Sequence, residues 1–328
     1  MNPLAASRAP YLSLRLSQLT ARHNEPEPSA GPQLVPPHHH PRHSPLALWH
    51  LLSLDAPTVA TLWTIFIAHC AHLTLPWPDP AAMFVAVWMI YAADRLLDAR
   101  LLDPDLHSNP DLEARHHFHH HHRNRFLTTI LLSAFALVYL LPHIDPRALH
   151  IYALLATLLG VWMLLIHSRP LSNPVSHRLP KELAVGLFFP AAVFIPTVAR
   201  DLTLRASLLP AAILFACVCT LNCLYLYAWE HPTPRLHAHL TTRWATHHLT
   251  HIATLTLAVA TTLSAITIFN PAFATSTLPT LACALSTSAL LLLNAHRDRL
   301  SPIHLRAAAD LALLTPLLLL PFANVVNR

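Results

Sequence analysis

The sequence predicts an all-α integral membrane protein: a bundle of nine transmembrane helices with the N-terminus in the cytoplasm and the C-terminus outside. Three observations predict it. Hydrophobic residues make up 54% of the 328 and charged residues only 11%, whereas soluble domains carry roughly 25% charged residues. Hydropathy rises nine separate times, in runs close to the length of a bilayer span. Finally, the basic residues sort by loop: 17 of the 21 Lys and Arg fall on one side when successive loops alternate between inside and outside.

Residues 1–45 are rich in Pro, Ser, His and Arg, lack apolar periodicity and read as a disordered cytoplasmic tail. They lack the basic tip, apolar run and small-residue site of a cleaved signal peptide, so insertion falls to the internal segments of a membrane domain over residues 46–328. The segment "PLALWHLLSL" is predicted to lie at the interface. The spans follow at approximately 56–72, 80–98, 126–142, 148–167, 183–199, 207–229, 249–269, 276–294 and 307–326. Each is near the ~20 residues that cross ~30 Å of hydrocarbon as helix. Helix is the expected backbone because lipid offers no partners to exposed peptide groups.

Orientation follows from the charges. With the N-terminus inside, only Arg147, Arg200, Arg205 and Arg328 fall outside. A wrong span count would mix the two sets beyond the error, so the bias supports both number and direction. The basic residues lie in short loops without a basic helix or aromatic platform, which excludes nucleic acid as a partner. The lipid bilayer is the expected surrounding, and the plasma (inner) membrane the expected location. All five cysteines lie in apolar segments, so no disulfide framework is expected. Cys219 and Cys223 share a helix face and read as small apolar filler.

The acids near the spans gather at the cytoplasmic ends: Asp55, Asp94, Asp98, Glu182, Glu230 and Asp310. Ionisable groups in spans are costly and usually face a bundle interior or cavity, so these positions suggest a pocket open to the cytoplasm. Asp55, with Pro57 just after it, reads as a helix N-cap. Asp310 lies four residues after Arg306, so a helix-face ion pair explains it about as well as a site does. Glu182, beside Lys181, reads as an interfacial boundary. Asp94 and Asp98 stand one turn apart, roughly 6 Å along the axis, and repel unless a cation bridges them; Arg95 and Arg100 supply part of the compensation, and a divalent cation would supply more. Mg²⁺ is suited to that place because it takes carboxylate oxygens together with substrate phosphate.

The stretch "IYAADRLLDAR" resembles the first aspartate-rich motif of the UbiA superfamily of intramembrane prenyltransferases, N-D-x-x-D-R-x-x-D. Asp94, Arg95 and Asp98 match it, while Ile90 and Tyr91 stand where the leading Asn-Asp belongs. The stretch "LPKELAVGLFF" is similar to the family's LPQ-x-x-LG segment through Leu179, Pro180 and Gly186. "LNCLYLYAWE" sits where the second acidic motif belongs and offers Asn222 and Glu230. The resemblance covers residues 46–326 and implies nine helices with a pocket near the cytoplasm. It also implies an activity, the Mg²⁺-dependent transfer of an isoprenyl group from an isoprenyl diphosphate to an aromatic or other lipophilic acceptor. In that reading Asp94 and Asp98 are catalytic as metal ligands. Arg95, Arg100, Tyr91, Arg178 and Lys181 contact the diphosphate, and Asn222 and Glu230 form a depleted second motif. A second reading within the fold is a lipid-binding member that no longer catalyses.

"RHHFHHHHRNR", residues 115–125, holds six of the 27 histidines. His-rich tracts bind metal, which makes a metal or small-molecule transporter the reading from another class. Against it, histidines occur throughout the loops without ligand spacing, and the outer halves of the spans are almost wholly apolar. The tract reads mainly as a part-charged loop near anionic head groups.

Overall fold

The computed structural model describes residues 44–100, 118, 119, 121–167, 181–231 and 239–323, except for the side chains of 98–100, 166, 167 and 181. The predicted tail, Arg178 and most of the 101–120 loop lie outside these residues. The described residues contain helices and no strand. In chain order the helices are α1 (Pro45–Leu51), α2 (Asp55–Cys70), α3 (Pro78–Arg100), α4 (Arg123–Leu140), α5 (Pro146–His167), α6 (Lys181–Arg200), α7 (Leu204–Glu230), α8 (Leu240–His247), α9 (Leu249–Phe269), α10 (Ala274–Ala295), α11 (Pro302–Leu311) and α12 (Pro316–Leu319).

Eight segments among the described residues are long and apolar enough to cross a membrane: 78–97, 123–143, 146–165, 182–200, 204–230, 249–269, 271–295 and 302–322. They coincide with the second to ninth predicted spans. The first predicted span appears as α2, only 16 residues long, and meets α1 at 90°. The bent pair α1–α2 adds at most one further span.

The right-angle bend has a local cause. Ser53 takes the left-handed conformation with φ 60°. The Ser53 amide donates to His50 O at 3.1 Å and the Leu54 amide to Trp49 O at 3.1 Å, the paired bonds that close a helix end in a Schellman motif. The end of α2 repeats the device at His72, φ 56°, with the Leu73 amide on Ala68 O. Glycine is the usual residue at such a position because it has no Cβ penalty. The chain has three glycines, and Ser53 takes the strain buried among polar partners.

The core is built where α2, α6, α7, α9, α10 and α11 meet. Trp63 stacks on Phe215 with ring centroids 3.9 Å apart, and its Nε1 donates to Leu313 O at 2.8 Å. That carbonyl lies in the break between α11 and α12, ahead of Pro316, where the helical ladder is interrupted. Pro196 inside α6 likewise deprives Ala192 O of its helical donor, and Tyr152 of α5 supplies one at 3.2 Å. The close approach of α6 and α7 relies on Gly186, where a Cβ would overlap Thr220 Oγ1 and lie 3.1 Å from Ala216 O.

The rim is apolar. Leu132, Phe135 and Tyr139 on α4, and Leu154, Leu158 and Leu164 on α5, are exposed. Water-soluble chains rarely expose contiguous apolar patches of that extent, and a bilayer covers them. The protein is therefore a multi-pass membrane protein of helical build. No disulfide joins the five cysteines. At one end of the bundle Arg200 Nη2 donates to Asp79 Oδ2 at 2.5 Å; the charge count assigns both residues to the outer side.

Candidate functional site

At the opposite end, four segments bring polar side chains into the interior. The turn between α1 and α2 contributes His50, Ser53 and Asp55; α3 contributes Arg95, α7 Asn222 and α11 Asp310. Asp55 is 0% exposed and Arg95 4%, so each charge must be answered by protein groups.

The answers are specific. His50 Nδ1 donates to Asp55 Oδ2 at 2.6 Å. Arg95 Nη2 reaches the same oxygen at 3.2 Å, while its Nη1 donates to His50 O at 2.7 Å and to Ser53 Oγ at 3.2 Å. The guanidinium thus holds the turn from three sides, and its Cζ lies 4.2 Å from the centroid of the Tyr91 ring, within cation–π reach. The Ala56 amide donates to Asp55 Oδ1 at 2.9 Å. Ser53 Oγ also shares a hydrogen bond with His119 Nε2 at 3.2 Å. Across the site, Asn222 Nδ2 donates to Asp310 Oδ1 at 3.1 Å, and Asp310 Oδ2 stands 3.6 Å from His50 Nδ1.

Several sequence readings change here. Asp55 is not the N-cap: Leu54 holds that position and Asp55 is the first residue of α2, where one oxygen takes the Ala56 amide and the other anchors His50 and Arg95. Asp310 does not take Arg306 as its ion-pair partner. Arg306 pairs with Glu230 across α7 and α11, leaving Asp310 to His50 and Asn222. The two second-motif candidates, Asn222 and Glu230, therefore both tie α7 to α11. They stand eight residues, about 12 Å, apart along the helix. Glu182 accepts from Thr242 Oγ1 at 3.1 Å, which joins α6 to α8. His119 belongs to the predicted head-group loop, yet it is buried and stacks on Phe126 with centroids 4.5 Å apart.

Asp94 is half-buried and lies one residue, about 100° around α3, from Arg95. The structure brings Tyr91 and Arg95 together at the buried centre. Asp98 and Arg100 follow on the same helix, and Lys181 opens α6; their side chains, like Arg178, lie outside the described residues. His50 and Ser53 escaped the sequence reading. A histidine and an aspartate five residues apart, flanking a break before the first span, are the signal that would have found His50.

Beside the centre lies a cleft of about 490 Å³ between α3, α4 and the α1–α2 turn. Phe84, Val85, Trp88 and Phe126 form apolar walls, and His122 and Arg125 line it near the start of α4. Trp88 Nε1 donates to Leu52 O at 3.1 Å, which fixes the wall to the turn. No family model, curated protein or solved structure matches this chain.

Proposed function

We propose that the chain crosses the membrane nine times, N-terminus in the cytoplasm and C-terminus outside, and transfers an isoprenyl group from an isoprenyl diphosphate to an aromatic or other lipophilic acceptor. One observation carries the reading. The α3 segment that resembles the first UbiA motif is rooted, through Arg95, in a buried polar centre at the end of the bundle that the charge count assigns to the cytoplasm.

The donor chemistry of this segment fits Mg²⁺. Asp94 is half-buried and precedes Asp98 by one helical turn, and carboxylate oxygens with substrate phosphate are the ligands that Mg²⁺ takes. Asp94 and Asp98 would hold the ion, which supplies Lewis-acid stabilisation to the departing diphosphate. Arg95 spends its Nη groups on the α1–α2 turn, so it acts as a positioning residue that sets the angle of the motif helix. Arg100, Arg178 and Lys181 are the residues assigned to the phosphate oxygens, where arginine can bind bidentately. The aromatic cleft beside the motif suits the isoprenoid tail and keeps water from the allylic carbon.

A second reading, an isoprenoid- or lipid-binding protein without turnover, has its own support. Asn222, where the family carries an acid, is bonded to Asp310, and the buried centre already neutralises much of its charge internally. One experiment tests both. Purified protein is incubated with Mg²⁺, a lipid extract of its host and labelled geranyl, farnesyl or longer isoprenyl diphosphates. Diphosphate release with a labelled lipid product, lost in Asp94→Ala and Asp98→Ala, supports transfer. Saturable binding without product in all three proteins supports the second reading and rejects the first.

A further inference from the structure

We propose that His50 Nδ1, Asp55 Oδ2 and Asp310 Oδ2 form a binding site for one divalent first-row transition-metal ion of the Mn²⁺ or Zn²⁺ kind, separate from the Asp94–Asp98 pair. The three donor atoms come from α1, α2 and α11 and lie within 4.8 Å of one another. His50 Nδ1 is 2.6 Å from Asp55 Oδ2 and 3.6 Å from Asp310 Oδ2. Donors on one ion with bonds of about 2.1 Å stand roughly 3–3.5 Å apart, so small side-chain rotations, with the imidazole proton carried on Nε2 in place of Nδ1, bring these atoms to ligand positions.

Two further atoms point to a positive guest. Asp310 is 8% exposed and Asn222 5%, yet Asp310 Oδ2 and Asn222 Oδ1 have no hydrogen-bond donor among the described residues. Buried acceptors are normally satisfied; Asp310 Oδ2 stands 3.6 Å from the His50 imidazole, and Asn222 is bonded to the same Asp310 carboxylate. The charges agree: two carboxylates, Asp55 and Asp310, face one guanidinium, Arg95, which leaves the centre short of positive charge. One imidazole with two carboxylates suits Mn²⁺ or Zn²⁺ better than Mg²⁺, which prefers oxygen alone. Arg95 already shares Asp55 Oδ2, so His50 and Asp310 are the ligands whose loss is most informative. The rival guest is a proton on His50, which would answer the same charge.

The full chain, purified in detergent and stripped with chelator, is titrated with Mn²⁺. Electron paramagnetic resonance counts the bound ion and reads nitrogen coupling to it. The expected result is one tight Mn²⁺ with ¹⁴N coupling, present in the wild type, in Asp94→Asn/Asp98→Asn and in a variant with His120, His121 and His122 changed to Gln. Asp310→Asn should weaken binding at least ten-fold, and His50→Gln should abolish the nitrogen coupling. Retained coupling in His50→Gln, or equal affinity in Asp310→Asn, overturns the site. The wild type also decides alone, whatever the variants do to folding: if it binds no nitrogen-coupled Mn²⁺, the metal site is rejected.

Discussion

Arg95 and Asp55 join α3 to the head of α2 through a 3.2 Å bond between Nη2 and Oδ2, with both side chains sealed from solvent. Removing one member of a buried pair leaves the other charge uncompensated, which costs about 3–5 kcal/mol. Arg95→Met should therefore unfold far more readily than wild type in a thermal melt in detergent. Adding Asp55→Asn removes the stranded charge and should recover part of the loss. A single variant that melts with the wild type would show that the pair contributes nothing.

Glu230 and Arg306 pair from α7 to α11, both largely buried at 18% and 16% side-chain exposure. Their burial is incomplete, so Glu230→Gln should cost only about 1 kcal/mol, near the upper end for ion pairs open to solvent. The exchange Glu230→Arg with Arg306→Glu keeps opposite charges facing and should melt above either single change. If the exchanged protein melts no higher than the singles, the two residues do not interact.

Gly186 sits where α6 crosses α7, and Thr220 opposite it is pinned by its own bond to Ala216 O at 2.8 Å. Gly186→Ala should destabilise by about 1–3 kcal/mol, the usual cost of overpacking. Thr220→Ala clears the Oγ1 and should relieve most of that cost in the double variant. The resemblance made Gly186 a motif residue; its packing gives the position a sufficient reason to be glycine.

The helices were legible because lipid imposes one rule, continuous apolar helix, and eight predicted spans recur within a few residues. The site was legible only in part. Loop charges and the DRxxD pattern drew attention to the end of α3 that carries Arg95, but Arg95 and Asp94 point about 100° apart and sequence alone does not say which one enters the core. Asp55 and Asp310 each offered a sufficient local explanation, a cap and an i,i+4 pair. Tertiary partners 40 to 88 residues away in sequence, Arg95 and Asn222, replaced those local ones. No periodicity in one segment carries that information.

The bent α1–α2 pair leaves the parity of the spans as a measurable quantity. Nine spans put the termini on opposite faces, and eight put them on the same face. In sealed vesicles with the cytoplasmic face outward, an N-terminal tag should be digested by added protease and a tag after Arg328 should survive until detergent is added. Digestion of both tags would mean that α1–α2 lies at the surface without crossing, and the predicted orientation of the C-terminus would be wrong.

Pro196 and Tyr152 should be thermodynamically coupled through a carbonyl that belongs to neither. Pro196 withholds the amide that Ala192 O would otherwise accept, and Tyr152 Oη–H replaces it at 3.2 Å from the neighbouring helix. Interhelical bonds of this kind average about 0.6 kcal/mol and reach about 1.7 in membrane proteins, so Tyr152→Phe should cost an amount in that range. Pro196→Ala restores the helical amide and gives Ala192 O a second donor. In that background Tyr152→Phe should cost much less, and the melting shifts of the two single variants should fail to add. Additive shifts would mean that α6 satisfies Ala192 O without Tyr152, and that the kink at Pro196 is held by packing alone.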